Sequence, residues 1–329
     1  MNDNADKYGP RNTYTLEVFP VSPVHVGGFE ADHIDIVQGI SDGKPTLLYV
    51  NVPGLLASLP EDALRRMNKD LESKKEFAES FHAVCTLPTA QKALQQSVIR
   101  AVPLLAGANP GDRPLRMFPF NGIYRKPYLP GSSVKGSLKT ALGIDFEARE
   151  TSYGIRVSDS FNHIPSTYAV VAWRKHKNPA QKRSDIPLNV EAWLPDYLLS
   201  ESNEAASVEI DLTLQKVPDG KKLSFDEIRE RANRYYESLF EKNVREIEAL
   251  SKSSAVEVKN ALDKLQKSKP NGFLLRVGWG VGKDTFAAMT PVGSRAAAKT
   301  PNTFWVLETM KGVYPFGWVY CAPIHAEPR

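Results

Sequence analysis

Residues 128–143, YLPGSSVKGSLKTALG, put three glycines, three serines and two lysines into sixteen positions. Val134, Leu138 and Leu142 recur at helical spacing with Ala141 beside them, and Gly143 follows as a C-terminal stop. The spacing predicts a short amphipathic helix starting near Ser132. Helix starts carry unpaired N–H groups and the positive end of the helix dipole, which suits phosphate. Pro130 and Gly131 turn the chain, Ser132 or Ser133 is expected to cap, and Gly136 is expected to admit a neighbouring backbone. Lys135 and Lys139 lie one turn apart, away from the apolar side. Arg125, Lys126 and Tyr128 stand just upstream, and aromatic residues among cations suit single-stranded RNA. The same residues also describe a capped helix with a packing glycine, so spacing alone leaves both readings open.

Outward from this helix the chain has the balance of a folded protein. Its 329 residues are 42% hydrophobic and 24% charged, with a net charge of +4. That length exceeds what one core usually fills, so two domains are expected, divided into 10–165 and 166–329. The small charge excess neither demands nor excludes a polyanionic partner. Cys85 and Cys321 have no CxxC companion, which supports neither a disulfide framework nor a thiolate zinc site. No apolar run approaches the roughly 20 residues that cross a bilayer, so a cytoplasmic protein without membrane partners is expected.

Alternation around Tyr14, Leu16 and Val18 predicts a first strand, ending at the Gly27–Gly28 turn after His25. Residues 50–81 carry helical patterning interrupted by Pro53 and Pro60. GIRVSDSF (154–161) predicts a strand, with Asp159 capping a turn. The stretch 172–187, AWRKHKNPAQKRSDIP, predicts a basic loop or hairpin. SVEIDLTLQKV (207–217) alternates strongly and predicts a strand. In the segment that follows, Ser224 and Glu227 form a capping box before Ile228, Ala232, Tyr235 and Leu239, the clearest helix in the chain. GFLLRV and PFGWVYCA predict two further strands.

RVGWGVGKDT, residues 276–285, is no Walker A loop: Val277 stands at the first glycine position and Asp284 where Ser or Thr is needed. Lys283 likewise replaces the third glycine of a dinucleotide fingerprint. What remains is a loop of Gly278, Gly280 and Gly282 carrying Trp279, with Arg276 and Lys283 at its edges. Such a loop suits close approach to a ribose-phosphate chain, or a tight turn with Trp279 in the core. Ser132-x-x-Lys135 matches an SxxK pair, but no SDN or KTG partner accompanies it. The six histidines have no metal-ligand spacing, and Asp32, His33 and Asp35 do not by themselves name an acid and a base. No cofactor is implied.

The order of PVSPVHVGG, YLPGSSVKGSLKTAL, RVSDS, FLLRVGWGVGKDT and YPFGWV resembles the RAMP superfamily of CRISPR effector proteins, and within it the end-capping subunits of type III-A Csm complexes. These segments span nearly the whole chain. Lys139 stands where the family usually has Arg, which keeps the charge and loses a bidentate phosphate fork. The resemblance implies an α+β fold of two ferredoxin-like, RNA-recognition-type domains with glycine-rich loops and an inserted basic hairpin. It implies a non-catalytic subunit that binds the 3′-side of the CRISPR RNA and caps the backbone filament. Implied partners are the neighbouring backbone subunit, the small helical subunit, nearby target RNA and cellular nucleases that mature the guide's 3′ end. By position, the guide contacts become His25, Gly27, Gly28, Ser132, Ser133, Lys135, Lys139, Arg276, Gly278, Gly280, Gly282 and Lys283. Arg174, Lys175 and Lys177 are expected on the basic hairpin. Two alternatives remain at this stage: a RAMP endoribonuclease acting through Asp32, His33, Asp35 or His25, and a purely structural cap that touches RNA little.

Overall fold

The computed structural model describes residues 11–111, 113–143, 154–176, 187–199, 207–215, 223–279 and 303–325. From the N-terminus come β1 (Arg11–Pro20), β2 (Glu30–Ala31), β3 (Ile36–Ser41) and β4 (Lys44–Val50). Four helices follow, α1 (Val52–Ser58), α2 (Glu61–Glu72), α3 (Phe77–Cys85) and α4 (Gln91–Ser97), then β5 (Val98–Pro103) and β6 (Leu115–Arg116). Next are α5 (Gly131–Leu142), β7 (Ile155–Val157), β8 (Thr167–His176), β9 (Leu188–Trp193) and β10 (Val208–Gln215). The C-terminal part holds α6 (Phe225–Glu248), α7 (Lys252–Ser268), β11 (Phe273–Arg276), β12 (Thr303–Thr309), β13 (Gly312–Pro315) and β14 (Trp318–Pro323).

The strands form three sheets. One has the order β11-β14-β1-β10-β7, the second β13-β12-β8-β9-β6-β2, and the third β3-β4-β5. Pairing is antiparallel throughout except between β6 and β9. In the first sheet β1 lies between β10 and β14, with Val18 opposite both Val208 and Cys321. Strands from both sides of residue 166 therefore share this sheet. Both edges of β1 need backbone partners, and they come from beyond residue 200.

Local sequence explains the elements that position the site. Ser224 accepts the N–H of Glu227 at 3.1 Å, the N-cap that the capping box predicts, worth about 1 kcal/mol. The buried stripe of α6 runs through Ile228, Ala232, Tyr236, Phe240, Val244 and Ile247. Tyr235 and Leu239, expected on that stripe, are half-buried at its margin. The reason is the four-residue spacing of the buried positions from Ile228 to Val244, which selects Tyr236 and Phe240. Both rings meet Trp318 edge-on, at 6.2 and 5.2 Å, and Trp318 Nε1–H donates to Asn243 Oδ1 at 3.0 Å. Full burial of such side chains contributes about 1.5–3 kcal/mol each.

The main core joins the first two sheets with α5, α6 and α7. A separate core packs Leu55, Met67, Phe81, Val84 and Leu94 against Val37, Leu48 and Val50, so residues 37–98 form a smaller unit around the third sheet. A third cluster, including Leu47, Val102, Leu115 and Ala169, joins this unit to the second sheet. Both cysteines are buried, and burial pushes the Cys85 thiol up to about 12 and the Cys321 thiol upward as well. No helix among the described residues is long and apolar enough to cross a membrane.

Candidate nucleic-acid interface

The glycine-bearing segments that stand far apart in sequence meet in space. Past β11, Val277 N–H donates to Gly317 O at 2.7 Å and Trp279 N–H donates to His25 O at 2.7 Å. Gly278 between them has φ +83, and a Cβ there would lie 2.2 Å from His25 O. Only glycine meets both demands. The Trp279 ring packs 5.7 Å from His25 and 4.7 Å from Trp305, with the Arg116 guanidinium 5.2 Å above it. Trp279 is half-buried.

His25, expected among the guide residues and in the endoribonuclease alternative, is buried. It is 1% exposed, and its Nδ1–H donates to Glu191 O at 2.7 Å. Burial lowers its pKa from 6.5 to about 4, with the nearby Arg116 charge acting in the same direction, so the imidazole is neutral at pH 7. Arg276, also expected as a guide contact, is buried as well. Its Nε–H donates to Phe316 O at 3.3 Å and its guanidinium lies 5.0 Å over the Trp318 ring. The next turn, Gly27–Gly28, is exposed. Gly28 N–H donates to Met117 O at 3.1 Å and a Cβ would stand 2.7 Å from that oxygen, whereas Gly27 faces open space.

The start of α5 differs from expectation in two ways. Neither Ser132 nor Ser133 caps it: the N-cap residue is Pro130, and Gly131 N–H donates to Asp159 Oδ1 at 2.9 Å. A carboxylate from the neighbouring segment therefore already occupies part of the positive helix end. The close-approach glycine is Gly131, whose Cβ would lie 2.3 Å from Ser158 O, while Gly136 has nothing within 4 Å. Ser132 is exposed, and Ser133, Lys135 and Lys139 are half-buried. From the inner face, Ser137 Oγ–H donates to Arg276 O at 2.5 Å and Tyr236 O–H donates to Ser137 O at 3.0 Å. These bonds fix α5 to β11 and α6, so the lysine-bearing helix and the glycine-rich loop share one support.

Upstream, residues 121–126 fold as a tight turn that leaves Arg125 and Lys126 exposed, with Tyr128 half-buried behind them. On the second sheet, Arg174 is exposed, and Lys175 Nζ lies 2.8 Å from Glu308 Oε2 and 5.7 Å from the Trp173 ring centre. β8 and β9 pair antiparallel, as a hairpin over 172–187 requires. Lys177, Gly280, Gly282 and Lys283 lie outside the described residues. Asp32 and His33 pair at 2.6 Å, and burial together with Asp32 raises the Asp35 pKa.

Sequence reading misses what lies beneath. Glu191, fully buried, accepts hydrogen bonds from Arg100, from Thr167 Oγ1 and, at 2.9 Å, from Phe118 N–H. Burial pushes its carboxyl pKa up while Arg100 and the other donors pull against it. Its own carbonyl holds His25. Nothing local in the sequence marks Glu191 as a hub, because its partners come from β5, β8 and the chain after β6. Asp159 could have been found: it stands in VSDS, and an Asp is a ready helix cap.

Neither a family model nor a curated protein sequence matches the chain. Solved structures do. A chain of a Csm–crRNA–target RNA ternary complex of a type III-A CRISPR-Cas system matches with TM-score 0.55 and 16% identity, covering 94% of this chain and 100% of that one. T. onnurineus Csm5 matches with TM-score 0.53 and 16% identity, covering 93% and 99%. At this identity the likeness establishes the fold, and it does so over nearly the full length of both chains: the protein has a Csm5-like fold.

Proposed function

We propose that this chain is a non-catalytic, RNA-holding subunit of a type III-A Csm complex, seated on the 3′-side of the CRISPR RNA as the cap of the backbone filament. The observation that carries the reading is the convergence of Gly27–Gly28, the α5 lysines and the Val277–Trp279 loop start on one support, with Arg125 and Lys126 exposed upstream. Exposed cations neutralise phosphates, glycine turns permit close approach, and half-buried aromatic rings suit unstacked bases. The Csm5-like fold supports the same assignment.

In this reading Lys135, Lys139, Arg125, Lys126 and Arg174 serve the RNA backbone, with Ser132, Ser133, Gly27 and Gly28 beside it. Lys177, Gly280, Gly282 and Lys283 join them by position. Partners are the neighbouring backbone subunit, the small helical subunit and nearby target RNA, and guide 3′-end maturation proceeds through recruited nucleases. The ferredoxin-like expectation finds its best support in the first sheet. There β1, α5, β7, β10, α6 and β11 follow the β-α-β-β-α-β order, with β14 placed between β11 and β1.

The test is binding of the purified chain to labelled CRISPR RNA across a salt series, with and without divalent metal. Salt-sensitive binding with intact RNA is expected. Cleavage would move the chain to the endoribonuclease class, and absence of binding would leave filament capping through protein contacts.

A further inference from the structure

We infer that the turn at residues 121–126, with Phe29 at its foot, is a base-stacking site for single-stranded RNA. The inference rests on the RNA-holding reading above and adds to it two side chains, Tyr124 and Phe29, and a geometry.

The turn is locked from within. Asn121 Oδ1 accepts the N–H groups of Ile123 at 2.9 Å and Tyr124 at 3.3 Å, and Asn121 O accepts the N–H of Arg125 at 2.6 Å. Asn121 N–H donates back to Lys126 O at 2.9 Å, and Phe120 and Pro127 bridge below. Arg125 has φ +55, a conformation that costs a non-glycine residue stability. Its Nη1–H donates to Val98 O at 2.7 Å, which fixes the side chain as well. On this rigid frame Ile123 is 83% and Tyr124 65% exposed, directly before a locked arginine and an exposed lysine. The Tyr124 ring lies 5.9 Å from the His163 ring and still keeps most of its surface in solvent.

At its foot, Phe29 is 41% exposed, with ring centres 5.6 Å from Phe120 and 5.4 Å from Tyr49. Phe120 is itself anchored, since the Arg100 guanidinium lies 4.9 Å from its ring centre and pairs with buried Glu191. Glu30 beside Phe29 is paired with Arg116 at 3.0 Å. The sequence of the turn, NGIYRK, has two cations and no acid. Exposed rings held rigidly beside two cations that have no ion pair among the described residues match a chain of bases and phosphates better than an apolar protein surface.

The experiment uses the full chain and a labelled single-stranded CRISPR RNA, comparing Phe29→Leu, Tyr124→Leu and Arg125→Gly with wild type. Leucine keeps apolar bulk and removes the aromatic face; glycine fits the φ of Arg125 and removes only its side chain. Each ring variant should weaken binding about fivefold to a hundredfold, with melting temperature and salt slope unchanged, because stacking releases no counterions. Arg125→Gly should lower the log–log salt slope by about 0.7. Wild-type binding combined with unchanged affinity in both ring variants would overturn the stacking site, and loss of subunit assembly in those same variants would identify a protein-docking turn instead. If the wild type itself binds no RNA, the RNA-holding reading falls and this inference with it.

Discussion

The motif residues divide into two regions that sequence spacing cannot tell apart. His25 and Arg276 lie inside, with half-buried Gly278 closed against the His25 carbonyl, and together they hold the first strand's tail, the glycine-rich loop and α5 to one another. Gly27, Arg125, Lys126 and Ser132 lie outside, and Lys135 and Lys139 are half-buried on α5 beside them. A motif can therefore mark an interface without each of its members touching the ligand. The inner residues set where the outer ones stand.

Substitutions that break the inner region should cost stability first. Glu191→Ala leaves Arg100 buried without its counter-ion, and denaturant unfolding should show a loss of about 3–5 kcal/mol. Replacing both partners by apolar residues, Arg100→Met with Glu191→Leu, should recover most of it. Gly278→Ala meets the His25 carbonyl at a positive φ, and about 2–4 kcal/mol should be lost in the same measurement.

His25 gives the inner region a pH signature. Its folded pKa, about 4, lies below its unfolded value of 6.5, so between these the unfolded chain binds a proton that the folded chain refuses. The stabilisation from neutral His25 is complete above about pH 6.5 and declines as pH falls to about 4, by up to about 3 kcal/mol. Unfolding of wild type and His25→Gln followed from pH 7.5 to 4 should show that difference shrinking on acidification. A constant difference would mean that His25 is not buried as a neutral ring.

The smallest effect concerns Gly136, which sits mid-helix facing open space. Gly136→Ala should stabilise the protein by about 0.5–1 kcal/mol in thermal unfolding. A loss would restore the packing role that its spacing suggests.

What was legible followed from local rules. α6 declared itself by its capping box and period, α5 by its apolar spacing and terminal glycine, and β10 by strict alternation. The partners of β1 were not legible, because its hydrogen bonds go to residues about 200 and 300 positions away. The smaller unit around β3, β4 and β5 was legible only as helical patterning over 50–81, since its core is shared between short strands and four short helices that no local rule assigns to one another. For the site, spacing found the segments that converge. It could not assign burial to individual members: nothing local in the sequence tells that His25 and Arg276 lie within.

The most direct measurement pairs one variant from each region: RNA affinity across a salt series and melting temperature for Lys135→Ala/Lys139→Ala and for Arg276→Met. The lysine pair should weaken RNA binding, lower the salt slope by about 1.4 and leave the melting temperature unchanged. Arg276→Met should lower the melting temperature while the folded protein keeps its RNA affinity and slope. Unchanged RNA binding in the lysine pair, or a loss of salt slope in Arg276→Met at full stability, would contradict the division into inner support and outer RNA contact.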